Sequence, residues 1–125
     1  MTLGRRLSLP LPLLPSDAVG ATVNRIELSG ELRVKGPLRS TPAGVPVVEF
    51  VVGHVSEQEE AGMLRKVECE MNCVSMGAVA GLVGAAALGT GLVVTGFVAA
   101  KSLKSRAPVL HVISIEFLEG IENGI

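Results

Sequence analysis

Few residues in this sequence could perform acid–base chemistry, and they are scattered. The two histidines, His54 and His111, each lie in a segment of alternating apolar residues, with no cysteine or aspartate spaced to act with them. We expect each to be a structural histidine rather than a general base. The chain also lacks a Gly-rich phosphate loop and a nucleophile elbow. The sequence therefore predicts a protein that is not an enzyme and has no catalytic residues.

The sequence offers equally little for metal or redox chemistry. Glu57, Glu59 and Glu60 crowd one segment, a pattern typical of a solvated turn, and a cation site there is the less favoured alternative. Cys69 and Cys73 would lie about 13 Å apart in a strand, too far for a disulfide. We expect both to be reduced core thiols of a cytoplasmic protein. No metal ion or cofactor is predicted.

The positions of the cationic residues are more informative than the net charge, which is only −1. They cluster around a Gly- and Pro-rich loop, at the start of a middle segment, and before the last apolar segment. The clusters are Arg33, Lys35 and Arg39; Arg65 and Lys66; and Lys101, Lys104 and Arg106. Basic loops that bracket one face can follow a phosphate backbone, so these are the candidate nucleic-acid-binding residues. The alternative is that they are ordinary solvated loop residues.

Aromatic side chains that could stack on nucleotide bases are scarce. The chain has three phenylalanines and neither tryptophan nor tyrosine. We expect Phe50 and Phe97 to point into the core. Because stacking supplies about 1–3 kcal/mol per base in single-strand binders, the predicted DNA binding is electrostatic, tolerant of sequence and strongly salt-dependent.

Five segments with strand periodicity would position these loops. Apolar and polar residues alternate over residues 23–35, and similar patterns cover 45–55, 63–73, 91–101 and 109–119. An Ala- and Gly-rich helical segment covers 76–88, and residues 56–62 are predicted to form an acidic loop.

This order predicts an all-β fold, a five-stranded antiparallel OB-fold barrel with one short helix between strands 3 and 4. An open α+β sandwich is the alternative. In an OB-fold, the first loop and the loop between strands 4 and 5 project beside the same face.

The chain ends and one uncharged stretch bear on the domain boundaries. Residues 1–21 imitate a secretory signal, but their closely spaced prolines oppose a helical apolar segment. We expect a disordered extension over 1–21, the OB-fold domain over 22–119 and a frayed tail over 120–125. Translation starting near Thr22 is a further hypothesis. Residues 71–100 carry no charge, but their glycines favour a helix followed by a strand over a membrane span.

Several short runs are more specific than any strand pattern. They are His-x-Ser-x-Gln-Glu-Glu-Ala-Gly at 54–62, Asn-Arg-Ile-Glu-Leu-Ser-Gly at 24–30, Pro-Leu-Arg at 37–39, Val-x-Gly-Phe at 94–97 and Leu-His at 110–111. In the order in which they follow along the chain, they resemble the primosomal replication protein N family, which is related to single-stranded DNA-binding proteins. The resemblance implies an OB-fold homodimer that acts in replication restart, binds single-stranded DNA and links the restart helicase to other primosome proteins.

The resemblance also bears on single positions. Basic positions that contact DNA in the family fall near Arg33 or Lys35, Arg39 and Lys104. The sequence departs from the family at Met63, where relatives have an aromatic, at Glu68, where better-known members have a stacking tryptophan, and at Val55, where a basic residue can occur. These departures leave an alternative function, an OB-fold protein–protein interaction module with little DNA affinity. The long first strand is a candidate dimer interface.

Overall fold

A closed barrel of five long strands forms the body of the protein in the computed structural model, which describes residues 22–118. The elements are β1 Ile26–Lys35, β2 Arg39–Ser40, β3 Pro46–Glu60, β4 Met63–Met76, α1 Ala78–Ala85, β5 Gly91–Ala100 and β6 Pro108–Phe117. The short strand β2 pairs only with the start of β3. The predicted extension over 1–21 and the predicted tail over 120–125 lie outside the described residues.

The sheet closes on itself in the order β1, β5, β6, β4 and β3, and β3 pairs back to β1. Within residues 22–118, this closure confirms the predicted all-β barrel with one helix and excludes the open sandwich. The predicted antiparallel pairing is confirmed for the other pairs of the ring, but β4 and β6 are parallel, so the sheet is mixed. A closed ring with an odd number of strands cannot alternate in direction all the way round, so at least one neighbouring pair must be parallel.

The alternating apolar residues of the long strands fill the barrel. Leu32, Val52, Leu92 and Leu110 are fully buried, and each contributes roughly 1.5–3 kcal/mol through burial. Val83 of α1 belongs to the same buried cluster. The helix is shorter than predicted, because β4 continues to Met76 and the chain turns at Gly77, whose φ is 76°.

The β3–β4 hairpin extends further than the sequence suggests. Residues 56–62 are not an acidic loop, because both strands continue and only Ala61 and Gly62 form the turn. Both turn residues have positive φ, at 55° and 80°, as a type I′ turn requires. Charged residues are tolerated here because both faces of a two-stranded ribbon can contact water.

The uncharged stretch 71–100 is divided among three elements: the end of β4, the helix α1 and the strand β5. Gly89, with φ of 89°, turns the chain between α1 and β5. Among residues 22–118, no helix combines the length and the hydropathy that a membrane crossing needs.

Candidate nucleic-acid interface

A groove of about 580 Å³ lies on the outer face of the barrel, across β3, β4 and β6. Its apolar floor includes the half-buried Val51 and the buried Val47 and Val74. Arg39, from the loop between β1 and β3, lines one side, and Lys101, from the loop between β5 and β6, also lines the groove. The two loops that the sequence singles out therefore border one groove with an apolar floor.

The β5–β6 loop carries cations that have no carboxylate partner in the described part of the chain. Lys101, Lys104 and Arg106 are exposed, and none forms an ion pair among residues 22–118. Backbone hydrogen bonds hold the loop compact: Lys101 N donates to Ala107 O at 2.8 Å, and Ser102 N donates to Ser105 O at 3.0 Å. Of the three cations only Lys101 lines the groove, while the other two lie further along the same loop.

Arg39 is the cation on the other side of the groove, and it is already paired. Its Nη2 atom donates to Oε2 of Glu49 at 3.0 Å, and both side chains are exposed and line the groove. An exposed ion pair of this kind contributes only about 0–1 kcal/mol. A phosphate could therefore replace the Glu49 carboxylate as the partner of Arg39 at little cost.

Two of the predicted site residues point away from the groove. Lys35 donates from its Nζ atom to the carbonyl oxygens of Gly84 and Ala86, at 2.9 and 2.5 Å. Arg33 lies over Gly53 and faces the carboxylates of Glu31 and Glu70, at 3.7 and 3.8 Å. Neither residue lines the groove.

The remaining predicted site residues, Arg65 and Lys66, lie near the tip of the β3–β4 hairpin. Arg65 pairs with Glu60 at 3.0 Å, and Lys66 pairs with Glu68 at 3.4 Å. The hairpin from 55 to 70 is acidic overall, with five glutamates against these two cations. The basic groove and the acidic hairpin are thus separate parts of the surface.

Phe97 does not point into the core as predicted. It is 39% exposed, and its ring stacks on His111 with the ring centroids 5.0 Å apart and the planes 5° from parallel. Leu92, Val94 and Gly96 occupy the buried positions of β5, so alternation turns Phe97 outward. The sequence shows this alternation, which predicts an exposed Phe97 if Gly96 is counted as an inward position. Phe50, in contrast, is buried as predicted.

His54 uses both ring nitrogens in hydrogen bonds. Nδ1 lies 2.7 Å from the carbonyl oxygen of Ser29, and Nε2 lies 2.8 Å from the hydroxyl of Ser56. Because a carbonyl can only accept, Nδ1 carries the proton, and in the neutral imidazole the Ser56 hydroxyl donates to Nε2. The two bonds hold the ring between β1 and β3.

The two cysteines have different environments. Cys73 is buried, and burial raises the pKa of its thiol to about 12. Cys69 is exposed, so the prediction that both thiols lie in the core is wrong for this residue. It belongs to the part of β4 that continues beyond the buried core. Among residues 22–118, no group of three or more histidine, cysteine or carboxylate side chains is placed to hold a metal ion.

Comparisons with known proteins identify relatives of this chain. A sequence model of the family described as "Another single-strand binding protein family" matches residues 24–114. The replication restart protein PriB of Nitrosomonas europaea is 32% identical over 102 residues, which cover 80% of this chain and 94% of that protein. The PriB of Bordetella pertussis is 39% identical over 89 residues, covering 71% of this chain and 83% of that protein.

Solved structures give the same grouping. The structure of PriB from Ralstonia solanacearum is similar with a TM-score of 0.73 and 32% identity, covering 78% of this chain and all of that chain (100%). The single-stranded DNA binding protein from Thermus aquaticus is similar with a TM-score of 0.65 and 22% identity, covering 79% of this chain and 52% of that chain. At that identity the second likeness shows a shared fold.

Proposed function

Because this chain belongs to the replication restart protein PriB family, as the sequence resemblance predicts, we propose that it is a non-enzymatic accessory protein of replication restart that binds single-stranded DNA. The observation that carries this proposal is the groove between the two basic loops. Its floor is apolar, and cations without ion-pair partners among residues 22–118 lie on one of its loops. The proposed place of action is the cytoplasm, where the DNA is.

In this proposal, the loops beside the groove supply the contacts to the DNA phosphates. Lys101, Lys104 and Arg106 contact phosphates, and Arg39 does so by exchanging Glu49 for a phosphate. Each phosphate contact to a single strand contributes about −0.7 to the slope of log K against log salt. We therefore expect a slope of roughly −2 from the β5–β6 loop alone and roughly −3 with Arg39 included.

A matched pair of charge reversals tests this assignment. Lys101→Glu/Lys104→Glu changes the β5–β6 loop, and Arg65→Glu/Lys66→Glu makes the same change in charge on the hairpin. Fluorescence anisotropy with a single-stranded oligonucleotide, at about 50 and about 200 mM salt, should show at least a tenfold loss of affinity and a flatter slope for the loop variant only. Equal losses in the two variants would show that the groove is not the binding site.

A second candidate function is protein–protein bridging, which the β3–β4 hairpin favours. Its tip exposes Met63 and Leu64, at 71% and 74%, beside the acidic ribbon. The proposed partners are the restart helicase and other primosome proteins. Met63→Ser/Leu64→Ser should weaken helicase binding and leave oligonucleotide affinity unchanged. If helicase binding is retained in this variant but lost in Lys101→Glu/Lys104→Glu, the helicase contacts the groove instead of the hairpin.

The proposed assembly is a homodimer formed through β1. This strand pairs with β3 only from Glu31 onward. Among residues 22–118, the preceding part of its edge that faces away from β5 pairs with no strand, although His54 bonds the Ser29 carbonyl there. We propose that this part of the edge contacts a second copy. Analytical ultracentrifugation of the wild type should give a dimer. Leu28→Lys is unsuitable as a test of the interface, because Leu28 packs against the core and its loss would destabilise the fold. Ser29→Pro removes a backbone donor at the edge, and a dimer unaffected by it would exclude this edge.

A further inference from the structure

The stacked rings of Phe97 and His111 continue the floor of the groove by one strand. Strand register places Phe97 opposite His111, His111 opposite Val74, and Val74 opposite Glu49. The last three of these residues line the groove. Since neighbouring strands lie about 4.8 Å apart, the row spans about 14 Å across the outer face.

We infer that the Phe97–His111 pair is a stacking platform for a nucleobase. This inference rests on the proposed binding of single-stranded DNA and adds the place where a base is held. Phe97 lies on β5 four residues before Lys101, the first residue of the β5–β6 loop, or about 13 Å along the chain. A strand whose phosphates contact the β5–β6 loop can therefore bring a base to the exposed part of the Phe97 ring.

The structure favours a nucleobase as the occupant because of what surrounds the rings. The cations of the β5–β6 loop, which form no ion pair with any described residue, suit a polyanion. The apolar floor beside them suits flat, weakly polar bases. The parallel stack at 5.0 Å also fixes each ring against the other, so little side-chain freedom is lost on binding. A stacked base adds a nonionic contribution to the phosphate contacts of Arg39 and the β5–β6 loop.

Tryptophan fluorescence can test the platform directly, because the chain contains no tryptophan. In Phe97→Trp, the indole emission should be quenched when an oligothymidylate is added, at the concentrations at which anisotropy reports binding. The matched control is Phe117→Trp, at a site with similar exposure, 38% against 39%. Residue 117 lies six residues from His111 on β6, about 20 Å away, and its emission should not change.

Phe97→Leu gives a second readout with a different physical signature. Loss of one stacked base should lower affinity by about five- to 150-fold. The slope of log K against log salt should stay at the wild-type value, because no phosphate contact is lost. A structural role for the ring would instead be seen as a lower melting temperature without this selective effect, and affinity equal to wild type in a folded Phe97→Leu protein would overturn the platform.

The remaining outcomes separate the platform from the proposed function. Binding by anisotropy without quenching of Phe97→Trp overturns the platform and leaves the groove proposal standing. An absence of any binding by the wild type overturns both. Emission from Phe97→Trp that changes with protein concentration in the absence of DNA would show that the rings contact a second copy of the chain, which also overturns the platform.

Discussion

The ammonium group of Lys35 lies against the end of helix α1, where it donates hydrogen bonds to the carbonyl oxygens of Gly84 and Ala86. The last carbonyls of a helix have no partner within the helix, and a cation is favoured there by the helix dipole. The sequence places Lys35 beside a basic loop, but Gly84 and Ala86 lie 49 and 51 residues further along the chain. Its structural role is therefore invisible in local sequence.

Lys35→Met should lower the free energy of unfolding by about 1–2 kcal/mol, since it removes two hydrogen bonds made by a charged donor. Urea denaturation measures this loss. Lys101→Met is the control: Lys101 is exposed and should change stability by less than about 0.5 kcal/mol. DNA binding should show the opposite contrast. Only Lys101→Met should reduce the slope of log K against log salt, by about 0.7. If Lys35→Met also reduces this slope, Lys35 contacts DNA as the sequence predicts.

Cys73 should make stability depend on pH in the alkaline range. Burial raises the pKa of its thiol from 9.0 to about 12, so the folded state holds the proton more tightly than the unfolded state. Stability is therefore complete below about pH 9 and falls as the pH rises from there towards 12. Relative to Cys73→Val, the wild type should lose about 1 kcal/mol between pH 8 and pH 10 in urea titrations. Parallel pH profiles for the two proteins would contradict the assignment.

At the scale of elements, side-chain alternation predicts the strands well. Its phase identifies Leu32, Leu92 and Leu110 as core residues because each long strand has one face in the barrel. Alternation fails in the β3–β4 hairpin, where both faces of the ribbon can contact water and glutamates continue the strand. It also cannot reveal the parallel β4–β6 pair, which follows from barrel closure rather than from any local pattern.

The site is predicted less completely than the fold. The loops at Arg39 and Lys101 are found from their charge and from the OB-fold topology, and both border the groove. The sequence does not show which cation forms hydrogen bonds within the fold, so Lys35 cannot be distinguished by sequence from a cation that is free to bind DNA. Phe97 is missed because an aromatic residue is expected inside, although Gly96 takes the inward position beside it.

Gly96 has a structural reason for being a glycine. A Cβ atom at this position would lie 1.8 Å from the carbonyl oxygen of His111, on the neighbouring strand. The close approach of the two backbones coincides with an irregularity in the β5–β6 register between Thr95 and Gly96. The strand pair that carries the stacked rings therefore depends on the absence of a side chain here.

Gly96→Ala should destabilise the barrel by about 2–3 kcal/mol, because the clash is with backbone that cannot move freely. Gly81→Ala is the matched control, since a Cβ at Gly81 of α1 meets nothing within 4 Å. Alanine is the better helix former, so this variant should gain about 0.5–1 kcal/mol. Thermal unfolding followed by circular dichroism should move the two melting temperatures in opposite directions, and a neutral Gly96→Ala would contradict the close approach.

At the scale of the whole molecule, charge is separated along the outer face of β3 and β4. Val51 and Asn72 are paired within the groove, and further along the same strands Val55 pairs with Glu68 and Glu57 with Lys66. A nucleic-acid strand that left the groove along the hairpin would therefore meet carboxylates. Under the proposed function, we expect this arrangement to limit the favourable DNA contacts to the groove.

Oligonucleotide length tests this limit. OB-folds contact about 4–16 nucleotides, so the wild type should bind oligonucleotides of about 8 and about 30 nucleotides with similar affinity per site. Glu68→Gln removes one carboxylate and frees Lys66, whose Nζ lies 3.4 Å from the Glu68 carboxylate. It should raise affinity for the longer oligonucleotide several-fold at about 50 mM salt. Because the Debye length shrinks to about 3 Å at 1 M, the gain should vanish at high salt.

Glu116→Gln removes the same charge at an exposed position of β6 that faces Val93 rather than the hairpin. It should leave the affinities for both oligonucleotides near their wild-type values. If Glu116→Gln raises affinity as much as Glu68→Gln, net charge rather than its arrangement controls binding, and the hairpin does not limit the DNA path. If only Glu68→Gln strengthens binding, and only for the longer oligonucleotide, the carboxylates of the hairpin set where the DNA contacts end.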